Sequence, residues 1–160
     1  MVENNKKLLI KLIFLVSIIA LASAFFIEYI LGHQPCNLCV LERIPYLLAI
    51  IIILFKYKFD QFEKFFIILL AIVFLAGTIL SLYHLGIEQG LIQESLFCDL
   101  KKGSNLLSKE DILKQLQEKN VSCKNVTFKI MGFSLTSYNI LISLLINIST
   151  AKIYFNYDKN

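Results

Sequence analysis

Residues 65–85 read FFIILLAIVFLAGTILSLYHL, a run with no Asp, Glu, Lys or Arg in it. At about 1.5 Å per residue, a helix of this length spans about 30 Å, the thickness of a bilayer's hydrocarbon core. This stretch therefore places the chain in a membrane. Its Gly77, Thr78 and Ser81 are small enough to let a neighbouring helix approach closely.

Working outward, three further runs have the same character. Residues 8–30 are apolar apart from Lys11 and Glu28. Residues 44–57 open on Ile44 and Pro45, and 128–148 follow a long polar stretch. The second run is short for a crossing. It reaches if the helix extends back towards Cys39 and if Lys56 and Lys58 stretch their ammonium groups to the far interface. The first run has a rival reading as a secretory signal, because Lys6-Lys7, Leu12 to Ala20 and Ala22-Ser23-Ala24 supply its three parts. Phe25, Phe26 and Ile27, which carry the apolar run past that site, argue for a span. The expected fold is an all-α membrane protein, a four-helix bundle forming one domain over residues 1–160. Its loops are a short one at about 31–43 and a long one at about 86–127. In the long loop, Ser108-Lys109-Glu110-Asp111 has the form of a capping box. It would open an amphipathic helix carrying Ile112, Leu113 and Leu116, lying on the membrane or a partner, or simply solvated.

Composition agrees with lipid as the main solvent: 57% of residues are hydrophobic and the mean hydropathy is +0.68. The net charge of +4 is modest, and no dense Lys/Arg run with interleaved aromatics points to nucleic acid. Four spans put both termini on one side and all four cysteines on the other. Each side carries eight Lys or Arg, and the side with the termini is net positive. The count of bases thus does not choose, and the charge balance leans towards cytoplasmic termini. Paired cysteines in an oxidising compartment argue for the same orientation.

The chemistry concentrates in Gln34-Pro35-Cys36-Asn37-Leu38-Cys39-Val40-Leu41-Glu42-Arg43, which holds half of the cysteines and the only arginine. Cys36 and Cys39 can close a small strained ring, and such disulfides exchange rather than staple. The alternatives are half of a metal site or an inert pair. A metal site is disfavoured because Cys98 and Cys123 are too far apart in sequence to form a second knuckle. Three pairings of four cysteines are possible. Cys98 and Cys123 by themselves suit a structural staple, or, on a long loop, a shuttle that carries exchange between a soluble partner and the membrane. Arg43 lies four residues after Cys39, one turn along if the helix includes both. There it is either a donor to a quinone carbonyl or an anchor pairing with Glu42 or a lipid phosphate. His84 and Glu88 stand i, i+4 where the third span ends, as a proton relay or as an ordinary polar helix end. His33, three residues before Cys36, could favour a thiolate. Tyr29 and Tyr46 read as interface aromatics.

These residues resemble the DsbB family of quinone-dependent membrane thiol oxidases, including its DsbI-like branch. The likeness covers nearly the whole chain. It rests on four spans, Pro35-Cys36-x-x-Cys39 with Glu42-Arg43, Tyr83-His84-x-Gly86-x-Glu88, Cys98-Asp99, Cys123, and Gly132-Phe133-Ser134-Leu135. The resemblance implies a Cys98–Cys123 loop disulfide that reoxidises a periplasmic thioredoxin-like thiol oxidase, with Cys98 the point of attack. Electrons would then pass to Cys36 and Cys39, and from Cys39 to ubiquinone or menaquinone of the membrane pool held near Arg43, with His84 close by and no metal. It also implies a multi-pass protein of a bacterial inner membrane with periplasmic cysteine loops and cytoplasmic termini. The chain departs from the family in having no tryptophan, and between Gly86 and Cys98 it is closer to the DsbI-like branch. Rival readings are a reductant conduit running electrons the other way, and a non-catalytic scaffold or metal carrier with a stapled loop.

Overall fold

In the computed structural model, which describes residues 2–93, 98, 123–124 and 128–157, four helices are long and apolar enough to cross a membrane. Lipid offers backbone N–H and C=O groups no partners, so runs of this composition satisfy them within helices. Helix α1 (Val2–Tyr29) continues through Ala22–Ala24 without a break. It closes where the N–H groups of Ile30, Leu31 and His33 return to the carbonyls of Phe26 and Ile27, and Gly32 turns the chain at φ +71°.

The second crossing, Asn37–Lys58, is built in two pieces: α2 (Asn37–Leu41) and α3 (Ile44–Lys58). Pro45 has no N–H to give Leu41, and its ring would press on that carbonyl, so the helix breaks at Glu42 and Arg43. The backward extension towards Cys39 is thus present, but Arg43 does not follow Cys39 on one uninterrupted helix. At the other end of this crossing Lys56 turns towards the start of the next helix. It is buried against Glu63, 3.1 Å away, and Lys6 reaches the second oxygen of the same carboxylate at 2.7 Å.

A short 3₁₀ turn (Asp60–Phe62) leads into α4 (Glu63–Glu88). The close approach anticipated at Gly77 is made by Pro45: a β-carbon on Gly77 would lie 2.9 Å from the proline ring. The last span begins later than residue 128. Lys129–Ile130 (β1) and Phe133–Ser134 (β2) pair as a two-residue antiparallel ribbon. Met131 and Gly132 between them both have positive φ, as the tightest hairpin turns require. Ser134 then accepts the Ser137 N–H at 3.4 Å, and helix α5 runs from Leu135 to Tyr157. The amphipathic helix expected at residues 108–116 lies outside the described residues.

Helix α4 packs most extensively on α5, α3 lies against α1 and α4, and α1 also touches α5. A buried apolar cluster that includes Ile10, Ala49, Ile53, Leu70, Phe74 and Ile146 fills the interior. Leu15, Leu47, Leu75 and Leu145 are among the large side chains left facing outward, where lipid covers them. Tyr46 is not an interface aromatic. It is buried edge-on to Phe74, with its hydroxyl donating to Asn139 Oδ1. Two asparagines of α5 bond to hydroxyls of α4: Asn139 to Ser81 at 2.8 Å and Asn147 to Thr78 at 3.2 Å.

Candidate functional site

At the end of the bundle where α2 begins, the sequence puts a cysteine in a capping position. Cys36 precedes the first turn of α2, and its sulfur accepts the backbone N–H of Cys39 at 3.2 Å. This bond folds the Cys-x-x-Cys segment so that both sulfurs face the same region. Cys36 and Cys123 are buried in one cluster with Leu38 and Ile87, and Cys39 and Cys98 pack against it. All four cysteines are therefore gathered in one place, as thiols. Asn37 fastens the loop residue by donating to the Cys98 carbonyl at 3.0 Å. The Cys36 thiol is pushed up from its ordinary range by the neighbouring Cys39 side-chain thiol and by burial, and His84 opposes the shift. Burial, then the bond with Cys98, pushes Cys123 up as well.

His84 is the hub of the polar groups around these sulfurs and is only 1% exposed. Its Nε2 is 3.5 Å from Cys36 Sγ, and its Nδ1 is 2.8 Å from Glu42 Oε1. A carboxylate can only accept, so Nδ1 carries the hydrogen and Nε2 presents its lone pair to the thiol. Thr136 donates to Glu88 Oε1 at 2.6 Å and sits 3.2 Å from His84 Nδ1. The same Glu88 oxygen lies 3.7 Å from His84 Nε2. Asn139 holds the other oxygen of Glu42 at 3.0 Å. The break before Pro45 has a consequence here: it turns Glu42 inward to the histidine and sends Arg43 elsewhere.

Arg43 pairs with Glu28 of α1 at 2.5 Å, not with Glu42, and its guanidinium lies over the Phe25 ring at 5.2 Å. It still borders the site. A cavity of about 340 Å³ opens between α1, α3, α4 and α5, with Cys36, Cys39, Glu42, Arg43, His84 and Cys123 at its polar end. Ile19, Ala20, Ala24 and Ile27 of α1 and Leu135 and Ile142 of α5 supply apolar wall. The size is that of a small-molecule pocket. The walls suit a flat, apolar ring with a hydrocarbon tail, and the polar end suits its carbonyl oxygens. His33 borders the same cavity but is tilted against the Phe128 ring at 5.1 Å and has no hydrogen bond to a sulfur among those described.

The structure thus brings Cys36, Cys39, Arg43, His84, Cys98 and Cys123 to one end of the bundle. Sequence reasoning missed four partners: Glu28, Glu42 in its bond to histidine, Thr136 and Asn139. An asparagine or an acid inside an apolar run is expensive in lipid and so signals a polar partner. That signal was available for Glu28 and Asn139. Nothing in the sequence ties Thr136 to His84.

The chain matches the family described as "Disulfide bond formation protein DsbB" over residues 6–152. It is 37% identical over 160 residues to the uncharacterized protein RP370 of Rickettsia prowazekii (strain Madrid E), covering 99% of this chain and 92% of the relative. No solved structure matches it.

Proposed function

Because the chain belongs to the DsbB family, and is accordingly a multi-pass inner-membrane oxidoreductase of disulfide bond formation, we propose that it carries electrons from a soluble dithiol protein to membrane quinone. The partner is a thioredoxin-like thiol oxidase on the periplasmic side, where both cysteine loops lie, with the termini in the cytoplasm. The observation that carries the reading is the gathering of all four cysteines in one packed cluster beside the cavity.

In the first exchange a partner thiolate attacks Cys98 of a Cys98–Cys123 disulfide, and Cys123 leaves with the electron pair. The partner's second thiol then displaces Cys98, releasing an oxidised partner and a Cys98/Cys123 dithiol. That dithiol reduces a Cys36–Cys39 disulfide by the same chemistry. Cys36 and Cys123 share one buried cluster, so this second exchange needs no long excursion. The Cys36/Cys39 dithiol produced must lose two electrons and two protons. His84 Nε2 takes the proton from Cys36, because Glu42 holds the hydrogen on Nδ1 and stabilises the imidazolium that forms. Glu88 and Thr136 offer that proton an onward path.

Cys39, Arg43 and the apolar wall from α1 are the residues that would hold ubiquinone or menaquinone. When bound there, a quinone accepts the electron pair and both protons and leaves as quinol. Arg43 fixes the orientation of a carbonyl oxygen, with Glu28 and Phe25 holding the guanidinium in place. Measurement of quinone reduction driven by a reduced thioredoxin-like protein tests the scheme. Cys36→Ser and Cys39→Ser variants should both be inactive, and a normal rate in either sinks it. A Cys123→Ser variant should trap the partner on Cys98 as a mixed disulfide identifiable by mass. A strongly reducing Cys36/Cys39 potential would reverse the direction.

A further inference from the structure

The geometry points to a second ligand for this end of the bundle: Cys36, Cys39 and His84 form a site for a thiophilic divalent cation such as Zn²⁺, open only while the two cysteines are reduced. The two sulfurs and a ring nitrogen lie within 4.8 Å of one another. For bonds of about 2.3 Å to sulfur and about 2.0 Å to nitrogen, a tetrahedral ion sets sulfur and nitrogen about 3.5 Å apart. Cys36 Sγ and His84 Nε2 are already 3.5 Å apart. Bringing the third donor to tetrahedral spacing needs a side-chain movement of at most about 1 Å.

Three further observations favour a cation over a fortuitous cluster. The nitrogen facing the sulfurs is the one with a free lone pair, because Nδ1 gives its hydrogen to Glu42 at 2.8 Å. A carboxylate on the other ring nitrogen is the usual support of a zinc-bound histidine, fixing ring orientation and raising basicity. Asn139 in turn holds that carboxylate at 3.0 Å. Next, Glu88 Oε1 stands 3.7 Å from Nε2, a source of negative charge on the open side. Finally, two thiolates match the charge of one divalent cation, so the ion and its sulfur ligands add no net charge to a buried site. Binding releases the protons of both thiols and forms two S–Zn bonds and one N–Zn bond. The ion thereby takes the place of the proton shared between Cys36 and His84. A Cys36–Cys39 disulfide withdraws both sulfurs, so metal and disulfide exclude each other.

The inference rests on the side-chain geometry and not on the direction of electron flow. Its test reads metal, not turnover. A full-length Cys98→Ser/Cys123→Ser variant in detergent, reduced and then freed of reductant, is titrated with Zn²⁺ against a chromogenic indicator and with Co²⁺ by absorption. The reduced protein should bind about one ion per chain, with the ligand-field bands of tetrahedral thiolate-bound cobalt. The same protein oxidised to the Cys36–Cys39 disulfide should bind none, a control that needs no further substitution. Glu42→Gln should weaken binding by about 10- to 100-fold, and His84→Gln by more. No uptake by the reduced protein, or equal uptake by the oxidised one, overturns the proposal. Unchanged affinity in His84→Gln does so too.

Discussion

Two clusters of charge lie at opposite ends of the same bundle, and they are built on opposite plans. At one end a single carboxylate, Glu63, is shared by two ammonium groups, Lys6 and Lys56. At the other a single imidazole, His84, lies within 4 Å of two carboxylates, Glu42 and Glu88. The first ties α1, α3 and α4 together through one carboxylate held between two ammonium groups. The second is centred on an imidazole, whose two nitrogens can take up a proton and hand it on. Similar distances thus give a clamp in one case and a proton-handling centre in the other, and the difference lies in which group is shared.

The sharpest way to break this contrast is to exchange losses between the ends. His84→Gln removes the acceptor for the Cys36 proton, and general-base losses are about 100-fold or more, so dithiol-driven quinone reduction should fall by at least that factor. Glu63→Gln should leave turnover within about two-fold and lower the melting temperature instead, because both ammonium groups lose the negative charge they share. Turnover assays and thermal unfolding in the same detergent check both. Loss of activity in Glu63→Gln without loss of stability would erase the distinction.

A smaller effect separates the carboxylates of the cysteine end. Glu42→Gln keeps the size of the side chain but lets it present an N–H to His84, so the ring can turn or change tautomer. Turnover should fall by about 10- to 100-fold, as when the orienting partner of a working histidine is lost. Arg43→Lys should act on a different parameter. It keeps the charge but loses the planar fork that meets Glu28, so the KM for quinone should rise by about five- to ten-fold, with kcat nearly unchanged.

How much of this was open to sequence reasoning follows the reach of each interaction. The four spans were legible because each is a local property of composition, and Cys36 with Cys39 stood out because Cys-x-x-Cys is a local spacing. The start of the last span was misjudged. Phe128 to Ser134 is apolar enough to pass for helix, but Met131 and Gly132 adopt positive φ and make a ribbon there. Pro45 was read as a helix start, which it is, yet its effect on the preceding turn was missed. That effect sends Glu42 to His84 and Arg43 to Glu28. Both partners are distant in sequence, so no window of sequence contains the pair.

The smallest expected effect tests whether polar bonding between α4 and α5 is glue alone or part of the site. Asn139 and Asn147 lie on the same helix and each donates to a hydroxyl of α4, at Ser81 and Thr78. Such bonds between membrane helices average about 0.6 kcal/mol, so Asn147→Ala should lower stability slightly and leave turnover unchanged. Asn139→Ala deletes the same kind of bond, but Asn139 also holds Glu42 Oε2 and accepts from Tyr46. Its loss frees the carboxylate that orients His84, so turnover should fall by a few-fold to about ten-fold, less than for Glu42→Gln itself. A double variant, Asn139→Ala with Glu42→Gln, should be no slower than Glu42→Gln alone, because Asn139 acts on the reaction only through Glu42. If the two losses multiply, Asn139 reaches the chemistry by another route, through Tyr46 and the cavity wall.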